Sequence, residues 1–232
     1  MSKQKHLSRL AAPKSWPIVR KSTKWIAKPV PGPHSEKFAM PLIVWLREIL
    51  GIVRNKSEAK KVLSQILING KPSKELRFPV GLFDTLSIPK LDKHYRVVLN
   101  SKGILNLIEI PFSEANLILT KVVKKTTLKK GKTQVTFSNG WNLLTGPKDY
   151  ALGDSALFDI NKKTITRIPL KEGQLCYVFK GAHIGALGKV KEFVREGLKQ
   201  YVILEHEAGI IKVPRDAIFV VGEEKPVISV KK

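Results

Sequence analysis

The side chains best able to do chemistry in this sequence are its cations, and they come interleaved with aromatic rings. Between residues 1 and 41, Lys3, Lys5, Arg9, Lys14, Arg20, Lys21, Lys24, Lys28 and Lys37 face Glu36 alone, with Trp16, Trp25 and Phe38 among them. An ammonium or guanidinium neutralises a phosphate and releases its condensed counterions, and an indole offers a flat face to a base. Lys3, Lys5, His6, Arg9, Lys14, Trp16, Arg20, Lys21 and Lys24 are therefore the first candidate contacts with RNA. The plainer alternative is that the rings fasten the segment to a folded body, and both can hold. A second basic run holds Lys124, Lys125, Lys129, Lys130 and Lys132. It reads either as a loop reaching into an RNA groove or as a solvated hairpin tip.

Other chemistries find little support. The histidines His6, His34, His94, His183 and His206 show no metal-ligand spacing. Cys176 is the single cysteine, set between Leu175 and Tyr177 in an apolar run with no histidine close in sequence, so neither a disulfide framework nor a nucleophile pair is expected. Asp149, Asp154 and Asp159 suit turns and strand edges. Gly188-Lys189 is followed by Val190, whereas a nucleotide-binding P-loop needs Ser or Thr there. No catalytic residue, metal or cofactor is expected, and no small-molecule substrate. No apolar run approaches the roughly 20 residues of a spanning helix, and no secretory leader is visible, so a membrane partner is not expected.

The charge balance agrees with the motifs. Against 42 Lys and Arg stand 19 Asp and Glu, a formal net charge of +23. Solubility alone asks for roughly 2 to 8 in a small domain, so the excess implies a polyanionic partner.

The elements that must position these charges change character along the chain. Residues 1–41 carry Pro13, Pro17, Pro29, Pro31, Pro33 and Pro41, which argue for an extended arm. Pro41 then stands as a first helical residue before Leu42, Trp45, Leu46 and Ile49 at helical spacing, with Gly51 as the stop. A second helix is expected from Asn55, its cap, with Glu58 completing a capping box and Ala59, Val62, Leu63 and Ile66 as the buried stripe. Asn69-Gly70 predicts a tight hairpin, with Lys71, Lys74 and Arg77 just beyond. Residues 106–172 read as β-rich, with hairpins over 134–144 around Ser138-Asn139-Gly140 and over 155–168.

The pair of helices with Arg47 and Arg54, followed by Leu67-Ile68-Asn69-Gly70-Lys71-Pro72, resembles the RNA-binding domain named after bacterial ribosomal protein S-four, over about Leu42 to Leu105. The resemblance implies a basic groove at Arg47, Arg54, Lys56, Lys60, Lys61, Lys71 and Arg77. Four further stretches are similar to the archaeal and eukaryotic ribosomal S-four-e family. They are Lys5-His6-Leu7-Ser8-Arg9-Leu10-Ala11-Ala12-Pro13-Lys14-Ser15-Trp16, Pro79-Val80-Gly81-Leu82-Phe83-Asp84-Thr85-Leu86-Ser87-Ile88, and Gly173-Gln174-Leu175-Cys176-Tyr177-Val178 with Ile218-Phe219-Val220-Val221-Gly222. Lys180-Gly181-Ala182-His183-Ile184-Gly185-Ala186-Leu187-Gly188-Lys189-Val190 looks like the glycine loop of a KOW motif. It implies an SH3-like barrel and makes Lys180, His183 and Lys189 candidate contacts.

The fold expected is α+β and multi-module, with the arm over 1–41, an S-four-type domain over 42–105, a β-rich domain over 106–172, and a KOW-type SH3-like barrel with a tail over 173–232. The function the resemblance implies is that of a structural constituent of the small ribosomal subunit in the cytoplasm. Its partners would be small-subunit ribosomal RNA and neighbouring ribosomal proteins. The alternatives are a transiently bound translation or transcription factor, or an RNA-modifying enzyme carrying the same modules.

Overall fold

The computed structural model describes residues 6–207 and 209–230. Lys3, Lys5 and the side chain of Lys130 lie outside the described part. The chain divides into two units, one running to Val98 and including Ile104–Asn116, the other made of Leu99–Gly103 and the chain from Leu117 onward.

In the first unit, β1 (His6–Ser8) pairs antiparallel with β2 (Trp25–Ala27), His6 opposite Ala27 and Ser8 opposite Trp25. β3 (Ala39–Pro41) precedes α1 (Leu42–Val44), which continues into one π turn over Trp45–Ile49. The apolar spacing thus gives a helical segment, but Pro41 stands just outside it as the N-cap, with ψ 139°. Its end is widened rather than α-helical, because Leu50 N–H donates to Trp45 C=O at 2.9 Å, five residues back. Trp45 and Leu46 are fully buried there.

The second helix, α2 (Lys56–Val62), starts as its cap predicts. Asn55 Oδ1 accepts from Glu58 N–H at 3.1 Å, but the Glu58 carboxylate reaches back past the Asn55 N–H of the expected capping box to Arg54 N–H at 2.8 Å. After a 3-10 turn at Leu63–Gln65, β4 (Leu67–Ile68) and β5 (Lys71–Pro72) flank Asn69-Gly70, whose φ angles of 51° and 71° are those of a two-residue type I′ hairpin. β6 (Pro79–Gly81) pairs with β3, while β7 (Thr85–Ile88), β8 (Lys93–Leu99) and β9 (Leu105–Glu109) complete a sheet of order β5-β4-β7-β8-β9. The hairpin is locked from the side: Asn69 Nδ2 donates to Asp84 Oδ1 at 2.8 Å and Asn69 Oδ1 accepts from Thr85 N–H at 2.9 Å.

The second unit is built of two five-stranded sheets. β10 (Leu117–Thr127), β11 (Thr133–Phe137), β12 (Asn142–Thr145), β13 (Ser155–Asp159) and β14 (Thr164–Ile168) order as β12-β11-β10-β13-β14, with both expected hairpins present. Val122, Val135, Phe137, Tyr150 and Ala156 form its core, and Phe137 meets Phe158 edge-on at 5.1 Å. β15 (Leu175–Val178), β16 (Leu187–Glu196), β17 (Lys199–His206), β18 (Gly209–Pro214) and β19 (Ile218–Gly222) order as β18-β17-β16-β15-β19. The regular structure of the described residues is therefore mostly strand, with a few short helical turns, more strongly β than the α+β expectation.

Candidate nucleic-acid interface

The first unit opens a groove of about 510 Å³ where four parts of the chain meet. The β1–β2 ribbon lends His6, Trp25, Ile26 and Ala27, and the first helical segment lends Ile43 and Arg47. α2 lends Lys56 and Lys60 from one face, with Leu63 just past its end, and the strand-to-strand segment lends Lys74, Glu75, Leu76 and Arg77. Lys56, Lys60 and Leu63 are spaced i, i+4, i+7, so one helical stripe supplies two ammonium groups and an apolar residue. Basic side chains at Arg47, Lys56, Lys60, Lys74 and Arg77 oppose a single lining carboxylate, Glu75, which Arg77 Nε approaches to 3.6 Å. An anion entering this groove meets convergent positive charge beside an apolar floor.

Behind the groove one carboxylate serves two guanidiniums. Glu48 accepts from Arg9 Nη1 at 2.8 Å and Nη2 at 2.7 Å, and from Arg47 Nη2 at 2.7 Å. Burial works to raise the Glu48 pKa, but the hydrogen bonds and charges of Arg9 and Arg47 outweigh it and hold it below the usual value. With two cations on one anion the cluster keeps a net positive charge, and Arg47 remains part of the groove wall.

The candidate contacts therefore sort by what their side chains touch. His6, Arg47, Lys56, Lys60, Lys74 and Arg77 come together. Lys14, Lys21, Lys24, Arg54, Lys61 and Lys71 are exposed but do not line the groove. Arg9 is a correction: it is buried, and besides Glu48 it donates to Thr23 Oγ1 at 3.0 Å and Val19 C=O at 2.9 Å, so its charge is spent inside the protein. Trp16 is another, only 2% exposed, with Nε1 donating to Glu36 C=O at 3.0 Å; no face of it is open to a base. Arg20 donates to the carbonyls of Leu10, Ala12 and Pro13 and serves as a local clamp. Over residues 6–41 the segment expected to extend as an arm is thus folded into the first unit, which Val30 N–H to Arg77 C=O at 3.0 Å also fastens.

In the second unit Lys124, Lys129, Lys132, Lys180, His183 and Lys189 are exposed. Lys124 and Lys125 lie on β10 rather than in a loop, because the strand runs on to Thr127. Lys125 is turned back, its Nζ donating to Pro147 C=O at 3.0 Å and Tyr150 C=O at 2.5 Å. In the glycine-bearing loop, Gly185 has φ +81° and a Cβ there would stand 2.9 Å from the Asn100 backbone, so that glycine is required by the fold itself. Asp149, Asp154 and Asp159 accept backbone N–H groups of Gly146, Ala151 and Asn161, as turn residues do. Burial pushes the Cys176 thiol up to about 12, the opposite of an activated nucleophile.

Sequence reasoning singled out Trp16, which is buried, and passed over the more open tryptophan. Trp25 is 54% exposed and lines the groove, while its strand neighbour Ile26 is 3% exposed. Strand alternation in Trp25-Ile26-Ala27 was the available signal, but the short ribbon that produces it pairs residues far apart in sequence.

Comparison with known proteins bears on this geometry. Residues 91–165 match the profile described as Ribosomal family S4e, and residues 1–37 match the RS4NT (NUC023) domain. A protein named small ribosomal subunit protein eS4 from Methanocella arvoryzae is 39% identical over 229 residues, covering 97% of this chain and 97% of that protein. Its namesake from Methanosphaera stadtmanae is 41% identical over 234 residues, covering 99% of this chain and 97% of that one. The crystal structure of the 30S ribosomal protein S4e from Thermoplasma acidophilum shares the fold with a TM-score of 0.70 at 24% identity, covering 80% of this chain and 96% of that chain.

Proposed function

Since this chain belongs to the S4e family of small-subunit ribosomal proteins, we propose that it is a structural constituent of the small subunit that holds ribosomal RNA in the groove of its first unit. The observation that carries the reading is the convergence of Arg47, Lys56, Lys60, Lys74 and Arg77 on one groove. Each of these cations would neutralise a backbone phosphate, which gives affinity without reading sequence and leaves shape to decide where the protein binds. The family is one of ribosomal constituents and not of enzymes, so the carboxylates and Cys176 keep structural roles.

The remaining basic surface extends the same interaction. Exposed Lys14, Lys21, Lys24, Arg54, Lys61 and Lys71 would meet RNA around the groove, and Lys124, Lys129, Lys132, Lys180, His183 and Lys189 would do so from the second unit. The order β18-β17-β16-β15-β19, with register shifts in β16 and β15, is favourable to an SH3-like barrel carrying the KOW loop, since bulges supply the curvature that closure needs. On this reading residues 173–232 form the KOW-type module, and the chain's neighbours are other small-subunit proteins.

The test is the salt dependence of RNA binding. Replacing Lys56, Lys60 and Lys74 together by alanine is expected to flatten the slope of log affinity against log salt by roughly 0.7 to 0.9 for each phosphate no longer neutralised. Lys61→Ala, outside the groove, is expected to change it less. A triple variant with the wild-type slope would remove the groove from the interface.

A further inference from the structure

Phosphate neutralisation leaves one feature of the groove without a purpose. Trp25 stands 54% exposed at its edge, and the floor is carbon, lined by Ile26, Ala27, Ile43, Leu63 and Leu76. A large ring left half open to water forgoes about half of the free energy its burial could supply. A phosphodiester backbone gains nothing from an apolar floor, whereas a nucleobase has both a π face to stack and apolar area to cover. In a duplex those faces are already occupied by neighbouring base pairs, so only an unpaired residue can present them.

The surroundings of the ring suit such a guest. Lys24 Nζ is 5.4 Å from the Trp25 ring centroid, and the His6 ring, diagonal to Trp25 across the β1–β2 ribbon, is 6.5 Å away and tilted by 49°. Lys56, Lys60 and Lys74 supply cations on the groove wall, and about 510 Å³ falls within the size of cavities that enclose small organic ligands.

We propose that the groove captures a single unpaired nucleotide, its base stacked on Trp25 over the apolar floor and its flanking phosphates held by Lys56, Lys60 and Lys74. This rests on the RNA-binding reading above and adds to it the class of RNA recognised: a bulge or loop residue projecting from a helix.

The experiment compares wild type, Trp25→Ala, Trp25→Phe and the Lys56, Lys60, Lys74 triple alanine variant, each in the full chain. The probes are an RNA hairpin with one bulged uridine, the same hairpin with an abasic bulge, and the fully paired stem, titrated by fluorescence anisotropy over a salt series. Trp25→Ala is expected to lose roughly 5- to 150-fold on the uridine bulge, almost nothing on the paired stem, and to keep the wild-type salt slope. Trp25→Phe should retain most of the affinity, and wild type should bind the abasic hairpin as weakly as Trp25→Ala binds the intact one. If Trp25→Ala binds the bulged hairpin as tightly as wild type while the lysine variant is impaired, base capture is wrong and the groove still binds RNA. If the lysine variant is also unimpaired, both readings fall.

Discussion

Lys121 is a cation the fold cannot use on RNA. It is 6% exposed within the second unit, and its Nζ donates to Arg215 C=O at 2.9 Å. Burial lowers its pKa from 10.5 to about 8, with Asp216 opposing that shift and Arg215 adding to it. Between pH 8 and 10.5 the unfolded chain therefore binds more protons at this residue than the native one, and stability rises with pH across that window. Lys121→Met should accordingly be more stable than wild type by at most about 3 kcal/mol below pH 8, less whatever the missing hydrogen bond costs. Its advantage should shrink as pH rises to 10.5. Paired denaturant melts at about pH 7 and about pH 10 check this, and an advantage that grows with pH would contradict it. Nothing in the sequence separates Lys121 from Lys124 in the same strand, because burial is decided by strands that pair with β10 from elsewhere. Arg9 escaped for the same reason: its carboxylate, Glu48, is 39 residues away.

Short elements were the most legible part of the chain, since their signals are local. The Asn55 cap and the Asn69-Gly70 hairpin stand where side-chain chemistry and backbone preference put them. The widened turn at Trp45–Ile49 was not legible, because apolar spacing marks which residues are buried without fixing whether the bonds span four residues or five. Arg47, on that turn, bonds Glu48 and lines the groove. At Asn69 the turn residue also bonds Asp84 and Thr85, which no local pattern announces. Asn69→Ala should thus cost more than an ordinary turn substitution, about 1 to 3 kcal/mol, because it leaves a buried carboxylate and a strand N–H short of a partner. Thermal melts of that variant measure the loss, and a change under about 0.5 kcal/mol would show that the lock contributes little.

On the scale of the whole molecule the net charge of +23 makes an isolated existence costly and a ribosomal one favourable. Composition gave the class of partner, and the family resemblance gave the subunit. The resemblance already implied a groove at Arg47, Lys56, Lys60 and Arg77, but the β1–β2 ribbon that lends it His6, Trp25 and Ile26 needed the structure, because its strands lie well before the helices in sequence and pair with each other at a distance. The central claim is that the protein is a constituent of the small subunit held there by phosphate contacts. Sedimentation of a cell lysate through a sucrose gradient at moderate and then high salt, following the protein by mass spectrometry, tests it most directly. The account predicts that the protein travels with the small subunit and leaves it only at high salt. A protein that stays with free proteins at the top of the gradient at moderate salt would contradict it.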